Sequence, residues 1–225
     1  MAKVSWLKVF CLISCLLNAA LVWFLCNLLR FDATRVDLYQ YLAKQFGSVE
    51  VVLTGDSLTR RNSDLAWKAA GLALNVRNVA KDGDDIYQIT AQIDRALAVE
   101  PKVVTIMAGT NRVKDMSADE TFRLFQQAVW RVMESGTKPI LIEAPMTNRA
   151  DLNKYLSSLN ALLFKFAIEN KLPFFKTNEA LGIEQELRAP YTVDGVHLTP
   201  LAYEQLNKKL IPFIQSHLKM ANNKN

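Results

Sequence analysis

Val49-Glu50-Val51-Val52-Leu53-Thr54-Gly55-Asp56-Ser57-Leu58 sets the frame for the whole chain. Its first six residues form a compact, largely β-branched run, the composition of a strand buried on both faces of a parallel sheet. Gly55 then allows a sharp turn, and a helix is expected to begin near Ser57. Ser57 therefore stands just beyond the carboxyl end of a strand, where open α/β sheets bind their ligands. Asp56 and Ser57 are also ordinary helix caps, so the tetrapeptide alone implies no chemistry.

Outward from this stretch, comparable runs span residues 74–79, 103–107 and 140–142, with a weaker one at 173–176. Between them lie helical patterns at 63–70, 85–99, 118–134 and 152–170, and a last helix at about 200–218. Phe122, Phe125, Val129 and Val132 show the spacing, falling on one face of a single helix. Thr199 is the expected N-cap of the last helix and Pro200 its first residue. Strands alternating with helices predict an α/β layer architecture around a mainly parallel five-stranded sheet. Right-handed crossovers would place helices on both faces.

Ahead of this domain, residues 9–29 are an apolar run without charge, about 30 Å long as a helix and so matched to a bilayer core. Lys3 and Lys8 precede it, and a balanced mixture of charges follows from Arg30. The expectation is a single-pass anchor at 1–30 with a cytoplasmic N-terminus, a connector helix at 31–47, and an extracytoplasmic domain (periplasmic or extracellular) at 48–225. A cleaved signal peptide remains an alternative, as does a lipoprotein signal, because Leu12-Ile13-Ser14-Cys15 resembles a lipobox. Cys11, Cys15 and Cys26 all fall inside this segment, so the domain has no thiol nucleophile, disulfide or thiolate metal site. Lys3, Lys8 and Arg30 also take three of the 27 basic residues, leaving 24 against 22 acidic ones. The near-neutral domain gives no electrostatic case for a nucleic-acid partner.

Three further segments lie near strand ends or before the last helix. Gly83 follows the second strand, where it serves either as a loop glycine or as an unobstructed backbone N–H. Gly109-Thr110-Asn111-Arg112 follows the third, and Asn111 there is either a turn residue or an amide donor. Asp194-Gly195-Val196-His197 precedes the last helix. His197 is one of two histidines; the other, His217, is expected in the last helical turn, where the dipole favours it. A general base for Ser57 and a carboxylate to orient it therefore have one well-placed source.

Together, Gly-Asp-Ser-Leu, a glycine after the second strand, Gly-x-Asn after the third and Asp-x-x-His before the last helix resemble the SGNH (GDSL-type) hydrolase family. The resemblance runs from about Val49 to Leu218 and implies a three-layer α/β/α sandwich of flavodoxin-like type. It implies a serine ester hydrolase with Ser57 as nucleophile, His197 as base and Asp194 as orienting acid. The oxyanion hole would combine the N–H groups of Ser57 and Gly83 with the Asn111 amide. No metal or organic cofactor is expected, and the partners are a small-molecule, lipid or glycan ester and the membrane. The Gly-x-Ser-x-Gly elbow of lipase-type α/β hydrolases is absent. Arg112 departs from the family pattern, which often has an acidic residue after the motif asparagine. With Arg60, Arg61 and Arg149 at other strand ends, it suggests an anionic substrate, against the reading of plain surface arginines. An acyl transferase using the same triad and an inactive tethered binding domain are the rival readings.

Overall fold

The computed structural model describes residues 49–62 and 76–222, with isolated helical positions 14, 17, 18, 20, 21 and 23 before them. Those positions apart, the expected anchor lies outside the described residues, as do the connector helix and the helix at 63–70. No helix among the described residues is long and apolar enough to cross a membrane.

Five parallel strands form one sheet: β1 (Val51–Thr54), β2 (Val76–Asn78), β3 (Val103–Ile106), β4 (Lys138–Ile142) and β5 (Phe174–Phe175). Their order across the sheet is β2-β1-β3-β4-β5, which puts β1 and β3 inside it with a partner on either side. Among the described residues of this domain the helices are α1 (Ser57–Arg60), α2 (Ile86–Leu97), α3 (Ala118–Glu134), α4 (Ala150–Glu169), α5 (Thr177–Leu181) and α6 (Pro200–Asn222).

Period-two alternation explains the layering. Val52, Val104 and Leu141 point to one face, where they join Ile89 and Ile93 of α2, Phe125 and Val129 of α3, and Leu156 and Leu159 of α4. Their neighbours Val51, Leu53, Val103, Ile140 and Ile142 point to the other, against Leu181 of α5 and Leu206, Leu210 and Ile214 of α6. Both faces are thus covered, and β1 and β3 are buried along their length, as their apolar runs require. The result is the parallel five-stranded sheet with flanking helices expected from the sequence.

Helix starts follow local chemistry. Asp85–Gln88 and Ser117–Glu120 form capping boxes at the starts of α2 and α3. Thr199 Oγ1 accepts from the Ala202 N–H at 3.3 Å, so Thr199 and Pro200 open α6 as expected. Two readings need correction. The sequence pattern does not predict α5, which follows a strand of only two residues. Tertiary contacts hold it, Asn178 N–H donating to Glu143 Oε2 and Asn178 Oδ1 accepting from Met146 N–H. α6 continues to Asn222, so His217 is not in the last turn. Its ring packs edge-on against Phe213, and burial, aided by the Lys138 charge, lowers its pKa, the reverse of a dipole-stabilised imidazolium.

Candidate active site

The capping reading of the Gly55-Asp56-Ser57-Leu58 tetrapeptide holds. Asp56 is the N-cap of α1, its carboxylate accepting from the Leu58 N–H at 2.9 Å, and Ser57 is the first helical residue. At four residues α1 cannot stand alone, and neighbours fix it from outside. Tyr203 Oη donates to Leu58 O at 2.9 Å and Asn78 Nδ2 to Thr59 O at 2.8 Å. Just past the helix, Asn62 and Asn207 exchange amide hydrogen bonds in both directions. Gly55 is required by close approach: a Cβ there would run into the Thr59 side chain and lie 3.2 Å from Met107 O.

Ser57 Oγ lies 2.9 Å from His197 Nε2, and His197 Nδ1 lies 2.7 Å from Asp194 Oδ2. Asp194 Oδ1 accepts from the N–H groups of Val196 and His197, at 3.0 and 2.8 Å. Hydrogen bonding by His197, first from its ring and then from its backbone, holds the Asp194 carboxyl well below the usual carboxylate range. An ionised carboxylate only accepts, so the Nδ1 position carries the imidazole proton and Nε2 presents its lone pair to the Ser57 hydroxyl. The loop bearing both residues is closed by an antiparallel bridge between Thr192 and Leu198. Thr192 Oγ1 receives the Gly195 N–H at 2.7 Å and donates to His197 O at 3.1 Å. Gly195 needs to be glycine on two counts: its φ is +86°, and a Cβ would collide with the Asn148 side chain.

Gly83 has φ +81° and open space where a Cβ would stand. Among the described residues no protein acceptor claims its N–H or that of Ser57. Asn111 Nδ2 donates one hydrogen to Asp84 O at 3.1 Å, which fixes the amide and leaves its second hydrogen for another acceptor. These three donors follow the ends of β1, β2 and β3.

The sequence assigns no role to two residues of this region. Gln92 of α2, fully buried, bonds both backbone groups of Gly55. Its signal is a polar side chain interrupting the apolar stripe of Ile89, Ile93 and Ala96. Thr110 is the other: its Oγ1 and Asp56 Oδ2 are buried with no partner in good hydrogen-bonding geometry. Burial pushes the Asp56 carboxyl up to about 6, opposed by the Leu58 N–H, the Thr110 hydroxyl and the His197 charge.

The arginines are exposed and each has a protein partner. Arg60 and Arg61 lie 3.9 Å from Asp82, next to Gly83. Arg112 donates to Met116 O at 2.9 Å with its guanidinium 5.0 Å from the Tyr155 ring centroid. Arg149 lies 3.6 Å from Asp151. Among the described residues no cluster of His, Cys, Asp and Glu could hold a metal ion.

A parallel sheet with helices on both faces thus carries a serine, a histidine and an aspartate in hydrogen-bonded sequence beyond its carboxyl ends. The chain belongs to the GDSL-like lipase/acylhydrolase family, whose model matches residues 53–205, and it is accordingly an esterase-type enzyme. Its fold is similar to that of a GDSL-like lipase from Bacteroides thetaiotaomicron, at 22% identity and a TM-score of 0.67, covering 81% of this chain and 98% of that one. The lipase/acylhydrolase from Enterococcus faecalis matches at 19% identity and a TM-score of 0.62, covering 75% and 96%. An acetyl xylan esterase matches at 19% identity and a TM-score of 0.57, covering 73% and 98%. No curated protein matches the chain in sequence.

Proposed function

We propose that this chain is a membrane-tethered serine ester hydrolase that cleaves an acyl or acetyl ester through Ser57, His197 and Asp194. The observation that carries the reading is the run of 2.9 and 2.7 Å contacts from Ser57 through His197 to Asp194. As Ser57 Oγ attacks the ester carbonyl, His197 Nε2 takes its proton and Asp194 steadies the imidazolium. The Ser57 and Gly83 N–H groups and the Asn111 amide receive the oxyanion. His197 then protonates the departing alkoxide, and water, deprotonated by the same imidazole, attacks the acyl-enzyme to release free acid.

The site's openness bears on the substrate. The side chains of His197 and Asp194 are 22% and 53% exposed, which leaves room for a bulky alcohol portion such as a glycan or a lipid. Structural neighbours described as a GDSL-like lipase and an acetyl xylan esterase span that range. The proposed tether is the 9–29 run. Leu17, Leu21 and Trp23 are helical and 55–69% exposed, and Asn18 Nδ2 donates to Ser14 O at 2.8 Å, so one polar side chain in the run has a hydrogen bond within its own helix. With Lys3 and Lys8 kept in the cytoplasm, the domain would face an acetylated envelope glycan or lipid.

Hydrolysis of p-nitrophenyl acetate and covalent labelling by a fluorophosphonate, both lost in Ser57→Ala, are the expected results. Turnover retained by Ser57→Ala would dispose of the assignment. An added sugar acceptor separates hydrolysis from acyl transfer, because only hydrolysis yields free acid as the sole product. Sedimentation of the full chain with membranes, and digestion of its domain by protease added outside the cell, test the tether.

A further inference from the structure

Gln92 lies in the second turn of α2, fully buried on the face that packs against β1. A primary amide in an apolar layer is costly unless every hydrogen and lone pair has a use. Here both ends of the amide are engaged. Oε1 accepts the Gly55 N–H at 2.8 Å, and the two Nε2 hydrogens go to Gly55 O and Asp84 Oδ2, both at 2.8 Å. The Gly55 N–H fixes which end of the amide is oxygen, so the side chain has a single orientation.

These contacts join two loops of the site. Gly55 is the turn that delivers Ser57, and Asp84 follows Gly83 directly. Gly55 O also accepts from the Lys81 N–H at 3.3 Å, and Asp84 O is the group that holds Asn111 Nδ2 at 3.1 Å. Asp84 is itself buried. One side chain therefore ties the nucleophile turn to the loop of the second oxyanion donor, and through Asp84 to the third. We infer that Gln92 is a positioning residue that sets the spacing of the three oxyanion donors, and so contributes to turnover rather than to substrate binding.

This role rests on the hydrolase reading above, and the experiment separates the two. The probes are p-nitrophenyl acetate, with active sites titrated by fluorophosphonate, and a trifluoromethyl ketone as oxyanion mimic. In Gln92→Leu and Gln92→Glu, kcat per titrated site should fall about 10- to 100-fold with KM within about twofold, as for a misplacement near 1 Å. Inhibition by the ketone should weaken in step with kcat/KM, since it reads the oxyanion geometry. Gln92→Glu sets a second carboxylate against Asp84. Adding Asp84→Asn supplies a donor to the carboxylate at position 92 while that group still accepts from the Gly55 N–H, so part of the lost kcat should return.

A purely structural role predicts otherwise: lower Tm and fewer titratable sites, with kcat per site, ketone inhibition and the double variant showing no change or rescue. That result, with Ser57→Ala inactive, overturns the role of Gln92 and leaves the hydrolase reading standing. Full turnover by Ser57→Ala removes both.

Discussion

Asn62 and Asn207 face one another 145 positions apart and exchange amide hydrogen bonds in both directions, at 2.9 and 2.8 Å. Each is buried, so the pair locks the end of α1 to α6 and through it the helix that begins with Ser57. Removing one partner leaves the other unsatisfied in the interior. Asn207→Leu should therefore cost roughly 1–3 kcal/mol in urea unfolding, and adding Asn62→Leu should return part of that loss.

Asn111 reaches the site with one amide hydrogen held by Asp84 O and one to give. Asn111→Ala should lower kcat on the order of 10²–10³-fold with little change in KM, because the donor acts on charge that develops only in the transition state. Steady-state kinetics on p-nitrophenyl acetate with titrated enzyme checks the split.

Asp56 and Asp194 respond to pH in opposite senses. Burial raises the folded pKa of Asp56 from 3.8 to about 6, so the native state keeps a proton that the unfolded chain releases within that window. Stability from this group falls as pH rises through the window and stays low above it. Asp56→Asn preserves the acceptor for the Leu58 N–H without the charge, and should raise Tm on the order of 5 °C at pH 8 and hardly at all at pH 4. For Asp194 the folded pKa is depressed by the His197 and Val196 hydrogen bonds. Its contribution is present above pH 3.8 and lost as pH falls through the folded value, so Asp194→Asn should flatten the acid limb of a Tm-against-pH curve.

Arg60 and Arg61 flank Asp82 beside Gly83, and both are solvent-exposed. If they also meet a negatively charged leaving group, Arg60→Ala combined with Arg61→Ala should raise KM for an anionic ester severalfold at low salt, an effect that shrinks with ionic strength. Unchanged KM for neutral and anionic esters alike would remove charge at these residues from substrate selection.

Strands are legible where β-branched residues run together and both faces are buried, as in Val51–Thr54 and Val103–Ile106. α2, α3 and α4 are legible from their apolar faces, and α6 from Thr199 and Pro200. α5 is not, because five residues carry no period and Asn178 is fixed by partners distant in sequence. The positions proposed for Ser57, Gly83, Asn111, Asp194 and His197 can be read because each follows a strand or precedes a helix. Gln92 sits inside a helix and acts through backbone groups 37 positions away, contacts that no local pattern encodes. The partners of the arginines are equally unreadable, since Tyr155 comes beneath Arg112 only once α4 has packed.

The 140 positions between Ser57 and His197 also impose an order in time. At about 5–20 residues per second, a nascent chain would carry the serine for roughly 7–28 seconds before its histidine is made, and longer before α6 emerges to lock α1 in place. Until then Ser57 has neither the His197 imidazole beside it nor a fixed helix. On the proposed mechanism a growing or truncated chain would be silent toward esters, and hydrolytic competence would read out completed synthesis.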